Sequence, residues 1–334
     1  MDKVLSKAFD LLRFPLAILV VFLHIDNAPK ISVWGHDWNW NEGLALYEMT
    51  IILVDTIAKI AVPCFFFISG YLFFIRIKVF TVAVYKDKIT RRIRSLLVPY
   101  LIWNLLAVAY LYATQGIMPD SFARVFLAPA NFPLWFLRDL IIMVVASPVI
   151  YCIAKYAKSI GLIVMTVLYV SDAIPVLVYC LFSSVYFFYL GCYCSQHRGF
   201  AKAIKGNPHV LCMSASVLFL AAIVLYGYVI GKYVLLAFLI AGTFCSISIG
   251  CRLVEKGIKV VPVLAASSFF IYLSHKLGAT YIAKVLFTVL PDNYYVLTLR
   301  FLVAPFVAVL MCVAVFALWQ KYSPKTLSFV IGRK

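Results

Sequence analysis

The chain has 334 residues, 65% of them hydrophobic and only 13% charged, and its mean hydropathy is +1.00. A soluble domain of this length cannot present that composition to water, so a bilayer has to be its solvent and water-soluble enzymes are excluded. The net charge of +17 would point to nucleic acid in a soluble protein; here the lysines and arginines fall in alternate loops between apolar runs, and no nucleic-acid partner is implied.

The first apolar run starts near Phe9, after Lys3 and Lys7. It looks superficially like a signal peptide, but no small-residue cleavage site follows and Arg13 and Pro15 interrupt it, so the expectation is a retained span over 9–26. Runs bounded by charge, proline or glycine predict further spans at 48–75, 93–113, 134–154, 160–172, 174–194, 209–230, 233–251, 260–288 and 295–319, that at 160–172 being short. Crossing roughly 30 Å of hydrocarbon takes ~20 residues of helix, so about ten spans fill the chain. Lipid-embedded backbone must satisfy its own hydrogen bonds, and the runs are too long for barrel strands. The expected fold is therefore an all-α polytopic membrane protein, one transmembrane domain over residues 1–334.

Orientation follows from the loops. Basic residues between Arg76 and Arg94, Lys155 and Lys158, Arg198 to Lys205, Arg252 to Lys259, and Lys321 to Lys334 share one side with Lys3 and Lys7, whereas the opposite loops hold only Lys30, Arg124 and Lys232. By the positive-inside rule both termini are expected to be cytoplasmic, in a multi-pass chain of the inner, cytoplasmic membrane. The outer stretch from Asn27 to Tyr47 carries Trp34, Trp38 and Trp40 with His36, Asp37 and Glu42, which suits a membrane interface first and stacking on a sugar ring second. The nine cysteines read as packing residues, and five scattered histidines give no metal-ligand spacing.

Ionisable groups inside spans are costly and by default mark a site or pathway. Arg13 and His24 lie eleven residues apart, nearly one helical face and ~16 Å along it, so they are expected to line one track. His24, Asp55, Arg138 with Asp139, and His275 all fall toward the outer half of the bilayer. They either form a site or are satisfied locally, Asp55 by Lys59 one turn away and Arg138 by snorkelling beside Trp135. Arg91 and Arg94, three residues apart in the basic loop, suit either a phosphate ligand from the cytosol or a pure topology signal.

These residues sit in segments that resemble the membrane acyltransferase-3 family. FDLLRFPLAILVVFLH, with Arg13 and His24, is similar to its opening motif. VPCFFFISGYLFF from Val62 resembles its second-helix signature, followed by Arg91-x-x-Arg94 and VPYLIW; LWFLRDL from Leu134 and SSFFIYLSHKL from Ser267 match later landmarks. The resemblance covers the chain from end to end. It implies transfer of an acyl group, commonly acetyl from cytosolic acetyl-CoA, to a hydroxyl of an envelope glycan, with acetyl-CoA as donor substrate and no permanently bound cofactor. On that footing His24 is expected to act as general base, or as a transient acyl carrier, with Arg13 holding the pantetheine or a phosphate; Arg91 and Arg94 serve the donor, and Asp55, Arg138 and His275 serve the acceptor region. The expected partners are acyl-CoA, an envelope carbohydrate and the lipid bilayer, with no particular oligomeric state implied. The rival from another class is a transporter or flippase for a glycan or lipid-linked intermediate, which moves its cargo without thioester cleavage.

Overall fold

The computed structural model describes residues 2–25, 31–33, 36–116, 118, 121, 125, 127–171, 176–197, 199–285 and 289–333, with backbone alone at 176–180 and 284. Lys30, Trp34, Arg124, Arg198 and Lys334 lie outside the described residues. All regular structure among the described residues is helical. Five stretches are long and apolar enough to cross a membrane: Asn41–Phe74, Val82–Gln115, Ser147–Val170, Gly231–Glu255 and Tyr294–Tyr322. A sixth, Phe200–Gly206 with Pro208–Val224, is bent by 77°.

Several expected boundaries move for identifiable reasons. The run at 48–75 is two helices, Leu44–Ala58 and Ala61–Phe74. Pro63 lacks an N–H and its ring crowds the carbonyl four residues back, at Lys59, which is where the helix breaks. The third run starts earlier, at Val82, where the Thr81 hydroxyl caps the helix by accepting from Val84 N–H at 3.3 Å. It passes through a π-helical turn, Ile93–Leu97, just before Pro99. The run at 134–154 breaks at Ala146, followed by Pro148, into Trp135–Val145 and Ser147–Cys152. A short helix, Pro324–Val330, follows the last run.

The chain forms two compact units. The first comprises Met1–Phe65, His197–Ser268 and Thr280–Leu310. Its Lys3–Phe22 helix is capped by Asp2, whose Oδ1 accepts from Leu5 N–H at 3.0 Å while Oδ2 accepts from Lys205 Nζ at 2.7 Å. That hydrogen bond from Lys205 holds the Asp2 carboxyl below its ordinary range. The helix buries Leu5, Ala8, Phe9, Leu12 and Leu16, a stripe at helical spacing, and packs on Gly231–Glu255, which also pairs with Pro208–Val224. Gly250 makes the first contact close: a Cβ there would lie 3.3 Å from Ala8 and Leu12 side-chain carbons.

The second unit comprises Phe66–Gln196, Phe269–Ala279 and Met311–Lys334. Two glycines let the backbones of Ala61–Phe74 and Val176–Gln196 touch: a Cβ on Gly70 would fall 2.1 Å from Phe188 O, and one on Gly191 would fall 2.2 Å from Phe67 O. Phe66, Phe67, Phe73, Phe187, Phe188 and Tyr189 are buried around that crossing. The Pro324–Val330 helix is tied to Val98–Gln115 by Trp103 Nε1, which donates to Val330 O at 3.2 Å.

Candidate functional site

In the first unit the Lys3–Phe22 helix ends just before His24, and the chain tightens there: His24 N–H donates to Val21 O at 3.0 Å, a 3₁₀ closure. The His24 Nδ1 lies 2.7 Å from Val20 O. A carbonyl can only accept, so Nδ1 carries the proton, and in the neutral ring Nε2 holds the lone pair. Arg13 is half exposed and its guanidinium meets Asp10, one turn back, at 3.1 Å. Asp55 pairs with Lys59 at 2.6 Å across one turn, an ion pair at the four-residue spacing of the sequence. In the outer stretch, His36 Nε2 meets Glu48 Oε2 at 3.1 Å and the His36 ring stands edge-on to Trp38, while Trp40 is exposed.

In the second unit Arg138 does not merely reach for an interface. Its Nε and Nη2 donate to Asp139 Oδ1 at 2.9 and 2.8 Å, and Nη1 donates to Leu127 O. Asp139 is fully buried, and its other oxygen accepts from Ser184 Oγ at 2.8 Å. A buried carboxylate with charge-assisted partners on both oxygens is a structural anchor as well as a charge. It fixes the entry to Trp135–Val145. The segment before that helix is stapled by three more groups. Asn104 donates to Val125 O and accepts from Ala130 N–H, at 2.9 and 2.8 Å. Asn131 donates to Leu273 O at 2.9 Å, and the Tyr272 hydroxyl donates to Pro133 O. His275 is fully buried in the 3₁₀ turn His275–Leu277, with Nδ1 2.9 Å from Ile271 O, so it shares the tautomer of His24.

The basic loop folds as helix Val82–Arg92 and the π turn, also in the second unit. Arg91 is clamped by Asp87 through two hydrogen bonds, Nε to Oδ1 at 2.9 Å and Nη2 to Oδ2 at 2.7 Å. Arg94 lies inside the π turn, exposed, and among the described residues its guanidinium makes no hydrogen bond or ion pair. Lys88 Nζ donates to Phe73 O at 2.8 Å, and Arg92 lies over the Phe73 ring at 6.0 Å. Of the pair Arg91 and Arg94, Arg94 is the one that Asp87 does not engage.

Residues 6–320 match the family model described as an acyltransferase domain, Acyl_transf_3. The chain belongs to the acyltransferase-3 family. It is therefore a membrane protein of an acyltransferase family. A similar curated protein is the succinoglycan biosynthesis protein ExoH of Rhizobium meliloti strain 1021, 27% identical over 369 residues, covering 100% of this chain and 94% of that protein. No solved structure matches the chain.

The landmarks that resemble this acyltransferase family mark Arg13, His24, Arg91, Arg94, Arg138 and His275, but not the groups that hold them. Asn104 was legible as a lone amide in an apolar run, and Asn131 as one just before another. Ser184 and Tyr272 carry no such signal. Their roles depend on which helix lies opposite.

Proposed function

We propose that this chain is an integral-membrane O-acyltransferase that moves an acyl group, taken as acetyl, from cytosolic acyl-CoA to a hydroxyl of an envelope polysaccharide or its precursor. The family supports the acyl transfer, and the similar succinoglycan biosynthesis protein supports a polysaccharide acceptor. The observation that carries the chemistry is the His24 tautomer: Nδ1–H held by Val20 O leaves Nε2 to take a proton. The sugar hydroxyl oxygen attacks the thioester carbonyl carbon as Nε2 removes its proton. The carbon–sulfur bond then breaks, and the CoA thiolate leaves, taking that proton from the imidazolium as free thiol. Val20 O accepts from the imidazolium throughout, so the ring keeps its orientation.

Arg94, with Arg91, serves the CoA phosphates, and the π turn that carries Arg94 is a kind of irregularity frequent at functional sites. Arg13 serves the donor from the first helix; His275, Arg138 and Asp55 serve the acceptor region. The chain works as one domain over 1–334, with about ten spans, both termini cytoplasmic, in the inner membrane. Alternating basic loops support that topology, with the bent and broken helices counted as spans. The test is purified protein mixed with acetyl-CoA and envelope glycan fractions. Free thiol and acylated glycan should appear together; thiol-free uptake of glycan into vesicles would instead mark a transporter.

A further inference from the structure

The last helix, Pro324–Val330, lies in the second unit, and the chain beyond it rests on the turn that carries Arg94. Chain termini fray unless something ties them down. This one is tied along its whole length. At its start Trp319 Nε1 donates to Thr326 Oγ1 at 2.8 Å. Leu327 and Ile331 are buried, and Trp103 Nε1 donates to Val330 O at 3.2 Å. At its end Arg333 N–H donates to Ser328 O at 2.7 Å and Gly332 N–H to Phe329 O at 3.1 Å, with Gly332 at φ +67°. That pairing is the Schellman closure, which takes a left-handed residue at this position and gives the helix end a fixed shape.

The tip so shaped meets the π turn Ile93–Leu97. A Cβ on Gly332 would lie 2.5 Å from Arg94 O and 2.9 Å from both Ser95 Cα and Pro99 Cγ. Glycine is therefore required twice, by the φ angle and by the approach. The contact falls where the helix is irregular. Val98 N–H donates to Ile93 O, the five-residue pattern of a π turn. The next donor in that pattern would run from residue 99 to Arg94 O, but Pro99 has no N–H to give. The Gly332 backbone packs against that oxygen.

Register at this point decides where a side chain goes. A π turn holds one residue more than an α turn, so relaxing it to α-helix would swing Arg94 by about 100° relative to Val98–Gln115. We propose that the C-terminal helix and Gly332 are part of the donor site: they hold the π turn in register and thereby aim Arg94 at the phosphates of acyl-CoA. Gly332 is a positioning residue that acts through Arg94. The identity of the ligand rests on the transferase reading above; the clamp on the turn does not.

The experiment uses the full chain in detergent micelles with CoA as the probe. Binding is read by calorimetry, and the turn itself by amide hydrogen exchange over residues 93–98. Gly332→Ala is compared with Gly116→Ala. Gly116 has φ +66° and a Cβ there would meet nothing within 4 Å, so its variant imposes the same backbone strain without a neighbour. Gly332→Ala should weaken CoA binding about fivefold or more and speed exchange in the turn, and Gly116→Ala should do neither. In an Arg94→Ala background, Gly332→Ala should weaken CoA binding no further, because its effect passes through that side chain. Trp103→Phe loses the donor to Val330 O but keeps a ring in place, so it should move both readouts in the same direction and replaces Gly332→Ala if that variant does not fold. Exchange in the turn that neither variant changes overturns the proposal. So does CoA affinity that neither changes, or a loss of affinity that persists undiminished in the Arg94→Ala background. Wild-type protein that binds no CoA, while Gly332→Ala still speeds exchange in the turn, refutes the donor reading and leaves the clamp standing.

Discussion

His24→Asn separates the chemistry from the architecture. The asparagine amide nitrogen reaches nearly the position of the imidazole Nδ1, so it can keep the donor to Val20 O that is made at 2.7 Å, while nothing replaces Nε2. Losing one hydrogen bond outright, as in His24→Ala, costs about 0.5–1.5 kcal/mol of stability. Against a typical stability of about 5–15 kcal/mol, that leaves nearly all molecules folded. Losing a positioned general base costs about 10²–10⁴ in rate, or about 2.7–5.5 kcal/mol in the barrier. The two effects differ enough to be told apart. Acylated product per folded molecule should fall about 10²-fold or more for both variants, whereas thermal stability should drop in His24→Ala and stay close to wild type in His24→Asn. Folded His24→Asn turning over within a few-fold of wild type would sink the general-base assignment.

Arg94→Ala should raise the KM for acyl-CoA more than Arg91→Ala does, because Arg91 is already clamped by Asp87 and Arg94 is not. Donor titrations of both variants decide it, and equal, unchanged KM values would reduce the pair to a topology signal. Asp139→Asn should destabilise the protein by about 3 kcal/mol, toward the lower end for a broken buried pair because Arg138 keeps 22% exposure. Chemical unfolding in detergent measures it, with Ser184→Ala expected to cost about 1 kcal/mol. The Asp2–Lys205 pair sets a pH dependence of definite sign. A carboxyl held below its unfolded value of about 3.9 contributes stability above that pH and loses it as pH falls through the folded value. The deficit of Asp2→Asn, which keeps a good N-cap, should therefore be present at pH 6 and shrink below about pH 4; a deficit constant down to pH 2 would contradict the assignment.

The sequence by itself determined the solvent, the helical class and the family. Composition forces a bilayer, a bilayer forces backbone-satisfied helices, and the ordered landmarks around Arg13, His24, Arg91, Arg94 and His275 are local strings that survive without knowledge of packing. Local pairs were half legible: Asp55 with Lys59 follows from four-residue spacing, whereas Arg138 with Asp139 and Ser184 does not. The helix break at Lys59 was written in Pro63, inside a stretch, Asn41–Phe74, that remains one candidate span. What the tertiary structure alone decided is which faces meet. Helices apolar all round carry no stripe to say which side is buried, and one residue of rotation swings a side chain by about 100°. The stapling of the segment before Trp135 by Asn104, Asn131 and Tyr272, and the seating of Gly332 on the turn that carries Arg94, depend on that rotation and on glycines that let backbones touch.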